Sequence, residues 1–137
     1  MIPTIPTPDE LIDKGFRRAN KAASLVRGSN LPRNKKSKRI ESTRVQTACQ
    51  VINARLEMIL ERVPEIEQLP EFYQDYIDIT VGVDQLKQSL GALKWATGII
   101  TQLEVDYTGK INRAGPDKSS KIRSQAYGRV ASVVKKN

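Results

Sequence analysis

Apolar residues recur at steps of three and four over four long stretches of this chain, and nowhere alternate with polar ones between hairpin-turn signals. In the first stretch Ile12, Phe16, Ala19, Ala23 and Val26 share a face, while Arg17, Arg18 and Lys21 lie elsewhere on the wheel. Thr7 as N-cap, Pro8 at the first helical position and Glu10 in a capping box start it, and Gly28-Ser29-Asn30-Leu31-Pro32 stops it. The spacing predicts a helix over 8–27. Val45, Cys49, Ile52, Leu56, Ile59, Leu60 and Val63 predict a second helix from about 37 to 63, roughly 40 Å long and ended by Pro64. Between the two, Arg33 to Arg39 has no apolar period and reads as part of a basic loop over about 28–39, or as a frayed helix start.

A shorter element after Pro70 gathers Phe72, Tyr73, Tyr76, Ile77 and Ile79, an aromatic patch suited to closing one end of a bundle. After a break at Thr80 to Val83, Asp84 is placed to cap a long helix carrying Leu86, Leu90, Leu93, Thr97, Ile100, Leu103 and Tyr107. Gly91 and Gly98 lie inside it, and their cost of up to about 1 kcal/mol each against Ala suggests close backbone packing there. Gly115-Pro116-Asp117 ends that helix, and Asp117 is the expected N-cap of a last one reaching about Lys136 with Ile122, Ala126, Val130, Val133 and Val134 on one face. The expectation is an all-α protein: an antiparallel bundle of about four long helices plus one short helix, forming a single domain over 1–137.

At 137 residues such a bundle needs neither disulfide nor metal. The single cysteine, Cys49, sits on the apolar face of the second helix as a small hydrophobe, and the absence of histidine removes the usual zinc sets and the usual general base. No stretch approaches the roughly 20 apolar residues of a membrane span, and Met1 to Pro8 is too short and proline-rich for a signal peptide, which reads as a soluble intracellular protein. No phosphate-binding loop is found: Gly28 has Arg33 where the second glycine belongs, and Gly109-Lys110 is preceded by Glu104 at the first-glycine position and followed by Ile111. Glu65, Glu67, Glu71, Asp75 and Asp78 lack a fixed ligand spacing, so they read as a solvated face rather than a divalent-ion site. Trp95 lies off the leucine stripe, as a second core contact or a partner surface. No residue is assigned a catalytic role.

The net charge of +8 is unevenly spread. Lys14 to Arg44 holds eleven Lys/Arg against Glu41 alone, Val45 to Thr108 four against ten acids, and Gly109 to Asn137 eight against Asp117. Two basic segments therefore flank an acidic middle, a layout that turns one face toward a polyanion. The candidate nucleic-acid ligands are Arg17, Arg18 and Lys21 on the first helix, Arg33, Lys35, Lys36, Lys38 and Arg39 in the basic run, and Lys118, Lys121, Arg123 and Arg129 on the last helix. Few aromatics interleave with them, so reading of a folded, double-helical RNA backbone by shape is expected rather than base stacking.

Ile2-Pro3-Thr4-Ile5-Pro6-Thr7-Pro8-Asp9-Glu10-Leu11-Ile12-Asp13, followed by Phe16-Arg17-Arg18-Ala19, resembles the start of the nucleolar GTP-binding proteins of the Nog group, relatives of the Obg GTPases. Phe72-Tyr73-Gln74-Asp75-Tyr76, Leu90-Gly91 and Ala126-Tyr127-Gly128-Arg129-Val130-Ala131-Ser132-Val133-Val134-Lys135-Lys136 are similar to later parts of that family's helical domain, in the same order. The resemblance implies an N-terminal helical module of a GTPase acting in large ribosomal subunit biogenesis. It implies ribosomal RNA as partner, with ribosomal proteins or assembly factors besides; a monomer without membrane contact is the expectation for the chain. On the same resemblance the chain stops where the first GTPase strand would begin, so GTP and Mg²⁺ belong to that following domain and no cofactor to this chain. An archaeal member would be cytoplasmic and a eukaryotic one nucleolar; short loops without extended tails favour the archaeal source. Two other readings compete. One is a protein-interaction module packing on a partner or on its own GTPase domain. The other is a peripheral membrane binder, for which the first helix lacks a bulky apolar face.

Overall fold

Thr7 opens the first helix by accepting the Glu10 backbone N–H on its side-chain oxygen at 3.2 Å, one of the orphan donors at a helix start. In the computed structural model, which describes residues 7–62, 71, 73, 75 and 82–136, α1 spans Pro8–Arg27, the range its periodicity predicts. α2 spans Arg33–Arg62, α3 Val83–Arg113 and α4 Ser119–Lys135. The short aromatic element lies outside the described residues apart from Glu71, Tyr73 and Asp75, which are helical and exposed; Glu65, Glu67 and Asp78 lie outside them altogether.

Three boundaries differ from expectation. The basic run is not a loop: Lys36 N–H bonds to the Pro32 carbonyl at 2.8 Å and α2 begins at Arg33, four residues before Ser37. Asp84 does not cap α3, whose N-cap position is Gly82 at φ 87°, a left-handed value that favours glycine; Asp84 instead adds its charge to the first turn. Asp117 is not the N-cap of α4 either. It belongs to a turn closed by Lys118 N–H to the Gly115 carbonyl at 3.0 Å, and the helix follows from Ser119, whose hydroxyl donates to the Pro116 carbonyl at 2.8 Å.

Neighbouring helices run antiparallel. Gly15, early in α1, meets Ile52, late in α2, and Lys36 reaches the Arg27 carbonyl at the other end. Asn53 donates to the Thr101 hydroxyl and the Thr97 carbonyl, while Lys38 reaches the Asn112 carbonyl, setting α3 against α2 in the opposite sense. α4 returns along α3, packs on α2, and brings Lys135 to 3.9 Å from Asp9 at the start of α1. The core draws on all four helices, with Leu11 and Ile12, Val45, Cys49, Ile52 and Leu56, Ile100, Leu103, Tyr107 and Ile111, and Ala126, Val130 and Val134. Among the described residues no strand occurs and no helix is long and apolar enough to cross a membrane.

The expected close packing at Gly91 and Gly98 is not there. Both are exposed, and a Cβ on either would meet nothing within 4 Å. The tight approach lies at Gly15 instead, where a Cβ would stand 2.9 Å from Ile52 Cγ1.

Candidate nucleic-acid interface

One polar network ties the basic segments to the fold. Glu41, the lone acid of the first basic block, is buried at the start of α2 and takes Arg123 Nε of α4 at 2.7 Å and Arg44 Nη1 at 3.5 Å. Both guanidiniums also lie over the Tyr127 ring, at 5.1 and 5.6 Å from its centroid, and Phe16 of α1 stacks on that ring at 4.0 Å. Burial pushes the Tyr127 phenol above its ordinary range, with the Arg44 charge opposing. Two arginines around one carboxylate leave the cluster one positive charge, mostly withdrawn from solvent.

The candidate cations consequently fall into three groups. Arg123 turns inward to Glu41 and is held there. Lys36 and Lys38 donate to the Arg27 and Asn112 carbonyls at 3.1 and 3.2 Å, satisfying acceptors at the C-terminal ends of α1 and α3. The remainder stand in solvent. Arg33, Lys35 and Arg39 at the start of α2, with Lys118 and Lys121 at the start of α4, gather at one end of the bundle; Arg129 is exposed farther along α4.

A second basic surface runs along the side. Between α1 and α2 lies an open groove of about 740 Å³ lined by Lys14, Arg17, Arg18 and Lys21 together with Ala22, Leu25, Thr47 and Val51. None of these four cations has an acid within ion-pair distance among the described residues, and no carboxylate lines this groove; Glu10 lines an adjoining hollow together with Lys14, Arg17 and Arg55. It continues past Lys14 and Arg18 to Arg55 and Met58, whose sulfur lies 3.4 Å from Arg55 Nη1. Lys14 and Arg55 are not among the candidates that the sequence singles out. Lys14 was legible, since it precedes Arg17, Arg18 and Lys21 at helical steps of three, four and seven. Arg55 carries no such signal, because it is one of four scattered cations in the acidic middle and reaches the groove only through helix packing.

The family profile described as the NOG1 N-terminal helical domain matches residues 1–137. The chain belongs to this family. An uncharacterized protein of Methanocaldococcus jannaschii is 37% identical over 134 residues, covering 97% of this chain and 38% of that protein. Nucleolar GTP-binding protein 1 of Kluyveromyces lactis is 27% identical over 139 residues, 98% of this chain and 21% of that protein. Its Arabidopsis thaliana namesake is 28% identical over 86 residues, 61% of this chain and 13% of that protein. The chain thus spans well under half the length of each. In this NOG1-type domain Cys49 is a buried thiol pushed up to about 12, by burial first and then by the Glu104 charge, so it is protonated and unreactive near neutrality. Among the described residues no group of three carboxylates or thiols comes together to hold a metal.

Proposed function

We propose that this domain docks on structured RNA of the large ribosomal subunit during its assembly, as the N-terminal helical module of a GTP-binding protein. The observation that carries the reading is the row Lys14, Arg17, Arg18 and Lys21, four cations on one helix that meet no acid among the described residues and border a groove without carboxylates. Each cation that meets a phosphate releases counterions, so affinity accumulates without sequence reading. Arg33, Lys35, Arg39, Lys118 and Lys121 extend the basic surface at the end of the bundle. Family membership supports the ribosomal setting, because relatives carry the name nucleolar GTP-binding protein. The higher identity to the methanogen relative supports an archaeal source and a cytoplasmic setting. GTP binding and hydrolysis are assigned to another part of the longer protein, since no phosphate-binding loop is found in this sequence.

The test is fluorescence anisotropy with ribosomal RNA fragments over a range of salt. Replacing Lys14, Arg17, Arg18 and Lys21 jointly by Ala should lower affinity and flatten the log–log salt slope by about 3, at roughly 0.7–0.9 per phosphate contact. Lys118→Ala with Lys121→Ala should take a smaller further share. An unchanged slope in the fourfold variant would remove α1 from the interface.

A second reading, a protein-docking module, draws on α3. Trp95 is 51% and Val105 62% exposed, on a face whose other positions include Gly91, Gly98 and Gln102 at alternating steps of three and four. Binding of a partner protein that is lost in Trp95→Ala and kept in the fourfold α1 variant would favour it.

A further inference from the structure

We infer that the α1–α2 groove seats a single unpaired nucleobase, its flanking phosphates held by the cations along the rim. The inference rests on the RNA-docking reading above and specifies the class of RNA: a duplex interrupted by an unpaired nucleotide. A surface that only follows a duplex backbone needs cations on an open face and gains nothing from apolar groups. Here the cations border a concavity walled by Ala22 and Leu25 of α1 and Val51 of α2, with Thr47 beside them. Leu25 is 79% exposed, more than any other large apolar side chain among the described residues, and it lines the same groove as Lys14, Arg17, Arg18 and Lys21, one turn beyond Lys21.

Apolar surface ringed by cations suits a ligand with apolar faces and anionic flanks. A nucleobase between two phosphates has that build, whereas a paired base is hidden in its stack. The groove holds no aromatic ring, so the base would lie against aliphatic carbons and an arginine plane, with the Thr47 hydroxyl available to its polar edge. The groove's volume of about 740 Å³ accommodates a nucleotide and falls within the span of small-ligand clefts. The absence of carboxylates from its lining disfavours a cationic or zwitterionic occupant.

Three labelled hairpins test this: a fully paired stem, the same stem with one bulged nucleotide, and the same bulge with its base removed. Anisotropy with the 137-residue chain should show the bulged hairpin bound about tenfold more tightly than the other two, the scale expected when part of one base's apolar surface leaves water for aliphatic carbons. Ala22→Phe, which fills the groove, should erase that preference and leave the salt slope intact. Leu25→Glu, at a position too exposed to disturb the core, should do the same for the preference even if Ala22→Phe fails to fold by circular dichroism. Equal binding of all three hairpins with a normal salt slope overturns the nucleobase seat and leaves RNA docking standing. No binding to any of them overturns both. Tight binding of the base-free bulge, or a preference that survives both substitutions, also overturns the seat, because stem flexibility or another surface would then be recognised.

Discussion

Adding one methyl group at different glycines should change stability with opposite sign. In the middle of a helix, Gly→Ala relieves about 0.5–1 kcal/mol of backbone entropy cost. Gly91 and Gly98 are exposed, and an added Cβ meets nothing within 4 Å, so each substitution should realise that gain. At Gly15 the same Cβ stands 2.9 Å from Ile52 Cγ1, 3.1 Å from Cδ1 and 3.4 Å from the Ala48 carbonyl oxygen. Ile52 is fully buried and, being β-branched on a helix, has essentially one χ1 rotamer, so the clash is relieved only by moving α1 off α2. Overpacking of this kind costs about 1–3 kcal/mol, which exceeds the propensity gain. With about 4 °C per kcal/mol at this chain length, Gly15→Ala should lower Tm by about 2–8 °C, while Gly91→Ala and Gly98→Ala should each raise it by about 2–4 °C. Thermal melts followed at 222 nm measure all three. If Gly15→Ala stabilises as the other two do, α1 and α2 are not in the close contact described here.

Glu41→Gln leaves the Arg44 and Arg123 guanidiniums mostly buried without their counter-charge and should cost about 2 kcal/mol, less than the 3–5 of a fully buried pair because some solvent reaches it. An unmoved urea midpoint would show that the pair contributes nothing. Cys49 has its pKa raised from 9.0 to about 12, so the unfolded chain loses this proton near pH 9 while the folded one retains it. Its contribution to stability is therefore fully present below pH 9 and declines above it, by about 1.4 kcal/mol per pH unit until the folded pKa is passed. Denaturation of wild type and Cys49→Ala at pH 8 and 10 isolates this component, and an identical pH response in both would refute it. Lys36→Ala and Lys38→Ala should each cost about 0.5–1 kcal/mol, unlike Lys35→Ala, because only the first two satisfy helix-end carbonyls. Equal midpoints for all three would dismiss that role.

Helical class, the limits of α1 and much of each helix's inward face were legible because each depends on neighbours within one or two turns, although the buried Leu11, Ala96, Ile111 and Tyr127 fall outside the predicted stripes. Thr7, Pro8 and Gly28 bound α1 through local hydrogen bonds and dihedrals. Val45, Cys49, Ile52 and Leu56 share a face by spacing alone, and all four are buried. Which glycine marks a close helix contact was not legible, since Gly15 and Gly91 differ only in what another helix places opposite them. The same holds for the cations. Arg123 looks like its basic neighbours along the chain, yet it faces Glu41, 82 positions away, and leaves the solvent-facing set.

The run Arg33 to Arg39 sets the two levels apart most clearly. Taken alone it has no apolar period, and it puts positive charge where a helix N-terminus is already positive, so local physics argues against helix there. The bundle reverses that balance by bringing the carbonyl ends of α1 and α3 alongside, where Lys36 and Lys38 find the acceptors their own helix cannot offer. Outside this run, local order along the chain was enough to set the helices, most of their apolar faces and the excess of positive charge. Packing alone selected which cations are consumed in holding helix ends and Glu41, and which, with Lys14, line an open groove, because hydrogen-bond partners 9, 74 and 82 positions apart become neighbours only when the helices pack.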